Sequence, residues 1–175
     1  MKSEYSFSSD AGKYPFQDLL IADELAEKFF HTDHDPDQLK INVKNDKRIY
    51  AKFPECENVI KYKNKVIGET FVLPCKQHIM KQFLNDTINE AEMFEKIMQE
   101  VNYENFDCIY LCAADIDENH RWKGLATNGR LKTLLPLIKK KTNLLLFWRT
   151  FSQEGEGLLK HTAKILWLKL LLKSH

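Results

Sequence analysis

The chain of 175 residues lacks a large net charge, a long apolar run and a CxxC pair, and each absence removes a class of protein. Its 26 basic residues nearly cancel its 25 acidic ones, leaving a formal charge of +1. No whole-chain field favours nucleic acid or an anionic membrane surface, so electrostatic recognition is expected to be local. The start, MKSEYSFSSD, has no apolar core of signal-peptide length, and no uninterrupted apolar run reaches transmembrane length. The expectation is a soluble, cytoplasmic protein with no nucleic-acid or membrane partner. Of four cysteines, Cys56 and Cys75 stand alone, while Cys108 and Cys112 would lie roughly 13 Å apart on one strand, too far to share a metal. Buried thiols in a reducing compartment are the expected state. The stretch HTDHD, with His31 and His34 beside Asp33 and Asp35, reads as a polar turn before Pro36, and no metal site is assigned. There is no internal repeat and no low-complexity block, and the length suits a single domain over 1–175.

What is present is periodicity. Residues 1–14 mix Ser, Lys and single aromatics, as a loosely held arm or an added sheet edge would. From Phe16 to Phe30 apolar residues recur at three- and four-residue steps behind Pro15, which predicts an amphipathic helix. DPDQLKINVKNDK is polar and short, with room for one or two helical turns, and RIYAKFP is expected to be a brief strand. ENVIKYKNKVIGETFVLPC carries β-branched and aromatic residues on both sides of Lys63-Asn64-Lys65 and predicts an antiparallel hairpin. HIMKQFLNDTINEAEMFEKIMQEV has helical spacing with a break near Asn85 to Asn89, its methionines serving the core.

The continuously apolar FDCIYLCAADI fits a strand buried on both faces. GLATNGRLKTLLPLIKKK follows with helical steps, Pro136 being expected to kink or end that helix early, and Arg130, Lys132 and Lys139 to Lys141 forming a solvated face. TNLLLFWRTF is the next buried strand, and SQEGEGLLKHTAK opens a helix capped by Ser152. Periodicity leaves ILWLKLLLKSH open between strand and helix. The order of elements implies an α/β (α+β) fold with a mixed, mainly antiparallel central sheet and helices on both faces.

NHRWKGLA, residues 119–126, sits where the buried strand hands over to a helix. Such a junction leaves backbone N–H groups without partners and aims the positive end of the helix dipole at one spot. It suits a phosphate: Gly124 removes a side chain that would block the approach, and Arg121 and Lys123 add positive charge.

The spacing Arg121-x-x-Gly124-x-Ala126, after a buried strand and at a helix start, resembles the GCN5-related N-acetyltransferase family, whose acetyl-CoA pyrophosphate loop reads Gln/Arg-x-x-Gly-x-Gly/Ala. IYLCAADIDENHRWKGLA looks like that family's fourth strand and loop, and the resemblance extends roughly over residues 16–160. It implies that strands four and five splay apart and that backbone groups of Ala114 and Ile116 pair with the pantetheine arm of acetyl-CoA. It also implies that N–H groups of Trp122, Lys123, Gly124, Leu125, Ala126 and Thr127 surround the pyrophosphate, with Arg121 fixing the loop. The activity implied is direct transfer of an acetyl group to a primary amine of a small molecule, peptide or protein. The alternative is a catalytically idle member that binds acyl-CoA or a protein partner, and oligomerisation is left open.

On the acceptor side the sequence departs from the family. Tyr110 stands where some histone-modifying members carry a glutamate base, and the tyrosine that often protonates the leaving thiolate is replaced by the run Leu158, Leu159 and Lys160. The family's Asn-x-x-Ala after the fifth strand gives way to Ser152 to Gly155, and the Gly-Phe before the sixth is absent. Glu69, after Gly68 on the third strand, is a candidate base, with Asp115 and His161 behind it. The plainer expectation for Glu69 and Asp115 is an exposed strand carboxylate.

Overall fold

Six strands lie side by side in the order in which the chain makes them, β1 Tyr5–Phe7, β2 Glu57–Tyr62, β3 Lys65–Cys75, β4 Cys108–Ile116, β5 Leu145–Arg149 and β6 Lys169–Lys173. The computed structural model describes residues 4–10, 15–40, 42–139, 141, 143–149 and 152–173. The first four strands pair antiparallel and the last three parallel, so the sheet is mixed. Among the described residues six helices complete the α/β fold: α1 Phe16–Phe30, α2 Val43–Lys52, α3 Gln77–Leu84, α4 Glu90–Glu100, α5 Leu125–Lys139 and α6 Gln153–Leu166.

Local chemistry sets most of these elements. Helix α1 buries Leu19, Ala22 and Ala26 at helical spacing, and the two alanines let it lie close over β2 and β3. It ends at His31 in the left-handed conformation, whose N–H returns to Glu27. The β2–β3 hairpin turns on Lys63 and Asn64, both with positive φ, which matches the right-handed twist of the strands. Helix α4 starts with a full capping box, Asn89 and Glu92 each satisfying the other's backbone N–H.

The described part of the N-terminal segment is an added edge, Tyr5–Phe7 pairing with Ile60 to Tyr62, whereas residues 1–3 and 11–14 lie outside the described residues. The undecided C-terminal stretch divides: α6 runs to Leu166, Trp167 turns with φ 55°, and β6 follows beside β5.

Two expectations are corrected. RIYAKFP is not a strand, because Asn42 caps a helix that runs through it, accepting from the N–H groups of Lys44 and Asn45, both at 3.1 Å. That helix, α2, buries Asp46 and Ile49 on one face. Nor does Pro136 stop α5, which continues to Lys139. Pro136 is exposed and near the helix end, while Leu134 and Leu137 beside it are wholly buried and keep the last turn packed.

Helices α1 and α2 cover one face of the sheet, and α4 joins them through the Arg48–Glu95 ion pair, bidentate at 2.6 and 2.8 Å. The crossovers through α5 and α6 both step outward, from β4 to β5 and from β5 to β6, and their right-handed sense puts both helices on the opposite face. Tyr110, Phe147 and Phe83 stack in the main core, the first pair with centroids 5.0 Å apart.

Gly68 carries a specific constraint. Its φ is +151°, and a Cβ there would stand 2.1 Å from the carbonyl oxygen of Asp115 on β4. Only glycine lets β3 and β4 pair at this point. Gly68→Ala is expected to cost about 3 kcal/mol, measured by urea unfolding; a loss under half a kilocalorie would show that the backbone can yield there.

Candidate active site

Among the described residues, strands β4 and β5 are bonded from Cys108 to Tyr110, opposite Leu145 to Phe147. Beyond Tyr110, β4 runs on to Ile116 with β3 as its ladder partner on one side, and on the other Leu111 and Cys112 do not pair with Trp148 and Arg149 of β5. The parting implied by the resemblance is therefore present. The N–H of Asp117 donates to Ile67 O on β3 at 2.7 Å, and strand alternation turns the backbone groups of Ala114 and Ile116 toward the parted edge.

Arg121 and Arg130 engage carbonyls along this stretch. Arg121 Nε donates to Ile116 O at 3.1 Å while its guanidinium lies over the ring of Phe29, 4.9 Å from the centroid. It thus ties the 119–126 loop to β4 and α1. Arg130 Nη2 donates to Ala113 O at 2.8 Å. Arg130 was expected on a solvated face; instead it is 2% exposed, and burial lowers its pKa to about 10. Lys132 does stay at the surface, paired with Asp10, and Lys141 lies over Phe106, whereas Lys140 falls outside the described residues.

The loop itself has the form that phosphate binding needs. Gly124 has φ +70° with nothing within 4 Å of where a Cβ would stand, and α5 begins with the N–H of Asn128 bonded to Gly124 O. The N–H groups of Leu125, Ala126 and Thr127 therefore precede the first helical bond and point out of the helix end. Trp122 is 90% exposed with φ 64°, and Lys123 Nζ is held by Tyr5 OH at 2.9 Å, so β1 helps to position the loop.

On the α1 face, Glu69 of β3 sits directly opposite Asp115 of β4, and Val59, opposite Glu69 on β2, is two residues from Glu57. Like charges placed this way repel. Asp23 from α1 and Asp46 from α2 complete the group, and Glu69, Glu57, Asp23 and Asp46 line a cleft that also reaches Cys112 and Ala113 on β4. The expectation of exposed carboxylates on β3 and β4 is overturned: Glu69 is 4% and Asp115 5% exposed, because α1 and α2 close over that face.

Burial governs the protonation of this group. It lifts Glu69 well above the ordinary carboxylate range, and Asp115, Asp23, Glu57 and Asp46 push the same way. Asp23 rises to about 9, by burial first and then by Asp46 and Glu57. Asp115 rises to about 8 by burial, against the opposing pull of its own backbone N–H and of Arg121. Asp46 rises to about 6, burial outweighing its contact with Asp23. The carboxylates titrate as one system, in which Asp115 and Asp23 hold protons at neutral pH while Asp46 is largely ionised.

Tyr110 has a different setting. It is fully buried, donates to Glu90 Oε1 at 2.7 Å, and burial raises its pKa, so it is held as a packing group that keeps its proton. Glu90 also accepts from the N–H of Leu39 at 3.3 Å, which ties α4 and β4 to the segment between α1 and α2. His161 lies exposed on α6.

Sequence reasoning missed Asp23, Asp46, Glu57 and Glu90. Asp23 had a signal, since it falls four residues after Leu19 and three before Ala26, inside the buried stripe. Asp46 had none, since its segment was expected to make at most a helical turn or two before a brief strand.

No protein-family description matches the chain, and no curated protein matches it either. Among solved structures it is similar to the loading GNATL domain of CurA from Lyngbya majuscula, with 13% sequence identity and a TM-score of 0.46, over 81% of this chain and 63% of that one. The chain thus spans less than two thirds of that structure's length. At that identity and score the likeness carries no function, which rests on the geometry of the site.

The carboxylates make stability fall with rising pH. Unfolded, they titrate near 4; folded, they keep protons up to about 6 at Asp46, 8 at Asp115 and 9 at Asp23. Between those limits the folded state binds more protons, so their stabilising contribution is full below pH 4 and is lost as pH rises through the folded values. The melting temperature is expected to drop from pH 5.5 to pH 8.5, and Glu69→Gln to restore about 1–3 kcal/mol at the higher pH with little effect at the lower. A Glu69→Gln protein with an unchanged pH slope would show that Glu69 is ionised in the folded state.

Proposed function

We propose that the protein is an acyl-CoA-dependent N-acyltransferase, with acetyl-CoA as the donor and a primary amine as the acceptor. The observation that carries this reading is the parted edge of β4. It runs from the N-terminus of α5 at one end to the carboxylate cleft at Cys112 and Ala113. A phosphate-bearing arm laid along that edge would bring its far end to the cleft.

The residues present suit acetyl-CoA. The N–H groups of Leu125, Ala126 and Thr127, with those of Trp122, Lys123 and Gly124, would face the pyrophosphate in the positive end of the α5 dipole. Gly124 leaves the space clear, and Arg121 anchors the loop. The backbone of Ala114 and the N–H of Ile116 would meet the pantetheine arm, Ile116 O already accepting from Arg121. The bound thioester supplies an electrophilic carbonyl and a thiolate leaving group.

The carboxylates do the rest. An alkylammonium near pKa 10 gives up its proton poorly to a carboxylate near 4, and much more readily to one held near 8. Asp115 is so raised, burial lifts Glu69 well above the ordinary carboxylate range, and Glu69 lines the cleft while Asp115 lies opposite it on the ladder. When Asp115 is ionised, as it becomes near its value of about 8, one proton passes from the ammonium to this group, the amine nitrogen attacks the thioester carbon, and the C–S bond breaks as the second proton leaves nitrogen for the thiolate. Holding amine and carbonyl together supplies much of the rate.

Acetyl-CoA is expected to bind in calorimetry, and Gly124→Glu to weaken it at least tenfold by placing a carboxylate in the phosphate site. Gly124→Ala, which adds a methyl group at the same strained φ, separates charge from backbone strain: equal losses in the two variants would remove the loop from the cofactor site. Thiol release from acetyl-CoA with a panel of amines tests the chemistry. Affinity without release on any amine would favour an idle acyl-CoA-binding protein.

A further inference from the structure

We infer that the acceptor is a zwitterionic amino acid, seated in the cleft at the carboxyl ends of β5 and β6 with its carboxylate against Arg149 and Lys173 and its amine toward the parted edge of β4. This rests on the acyltransferase reading and adds to it the class of acceptor. The cleft has a volume of about 360 Å³, the size of a small-molecule site. The opening under α1 and α2 holds about 50 Å³, room for water but not for an acceptor. The larger cleft also has a suitable place in the fold. Ligands of open α/β sheets bind outside the carboxyl ends of the strands, where neighbouring strands diverge, and β4 and β5 diverge here.

Its cations stand together. Arg149 ends β5 and Lys173 ends β6, and the two are partners in the parallel ladder, so both charges border the cleft side by side. Like charges so placed repel, and an anion between them relieves the repulsion. Lys173 Nζ donates to Phe83 O at 2.7 Å and to Asp86 Oδ1 at 2.8 Å, which fixes its position. The Asp86 side chain is 81% exposed, and a carboxylate so surrounded by water cancels little of the field inside the cleft. Asp37, the other acid at the rim, accepts from Asn89 Nδ2 at 2.8 Å, and Arg149 also acts on the carboxyls of Asp35 and Glu90.

The acids lie toward β4. Glu90 borders both clefts and is held there by Tyr110, whose ladder partner is Phe147. Two residues further on, Cys112 and Arg149 stand on opposite banks of the parting. From Arg149 toward β4 the walls therefore pass from cationic to acidic, through Glu90 to Glu69. An amino acid has the same polarity over a similar short distance: a carboxylate on Arg149 leaves the amine one carbon further on, toward Cys112 and Ala113. Its side chain would meet Ile88 and Phe83. A plain amine would leave the two cations without an anion, and a plain carboxylate has no nitrogen to acylate. The N–C bond forms and the C–S bond breaks as above, giving an N-acyl amino acid and the thiol of CoA.

Calorimetry on the full chain, with and without CoA, tests this with glycine, leucine and phenylalanine, each beside its amide and its N-acetyl derivative; acetyl-CoA is titrated separately. At least one of the three amino acids is expected to bind tenfold or more tighter than both of its derivatives, which lack the carboxylate charge or the ammonium. Arg149→Met is expected to weaken that amino acid at least tenfold and Arg149→Lys to restore most of the loss, with acetyl-CoA affinity unchanged. The amide comparison is made on the unaltered chain and stands whether or not these variants fold. Equal affinity for each amino acid and its amide, or acetyl-CoA affinity with no amino-acid affinity, would overturn the amino-acid assignment and leave the acyltransferase reading standing. Amino-acid affinity without acetyl-CoA affinity would keep the cleft as an amino-acid site and overturn the acyltransferase reading.

Discussion

Among the described residues, strand β4 beyond Tyr110 is bonded to a neighbouring strand on one side only. A buried strand cannot leave its backbone groups unpaired without cost, and here side chains take part of the load. Arg121 reaches Ile116 O from the loop and Arg130 reaches Ala113 O from α5. The Arg121 bond takes up one carbonyl of the parted edge, while the ladder to β3 keeps the strand in register. The position of the loop, the start of α5 and the opening at Ala113 all follow from that parting.

The acidic cleft is the second consequence. Where β4 leaves β5, its α1 face is roofed by α1 and α2, so Glu69 and Asp115 meet across the ladder without water to separate their charges. The usual way to tolerate such a pair is to keep protons on it, and burial does so here. The same desolvation weakens the folded state at high pH. Under the proposed chemistry, stability and proton acceptance would draw on one group of side chains, in opposite directions as pH changes.

Much of the molecule was legible along the chain. Helix α1, the hairpin, the break between α3 and α4, and the strands β4 and β5 each carry a strong local period or turn signal. Helix α2 was not legible, because its cap at Asn42 lies within a polar stretch and its short apolar face reads equally as a strand. The glycine turn at the start of α5 could be read from NHRWKGLA, since its glycine, its arginine and its helix start are contiguous. The carboxylate group could not, since its members come from α1, α2, β2, β3 and β4.

The sequence by itself determined where strands and helices form and where a glycine clears a helix N-terminus, because those properties depend on neighbours along the chain. Tertiary structure alone decided that Glu69 and Asp115 are buried and face each other, that Arg130 leaves the solvent for Ala113 O, and that Asp23 and Asp46 join the same cleft. Those outcomes depend on which faces are covered and which strands part. Charge and burial act through space, and no spacing along one segment encodes what another segment will bring against it.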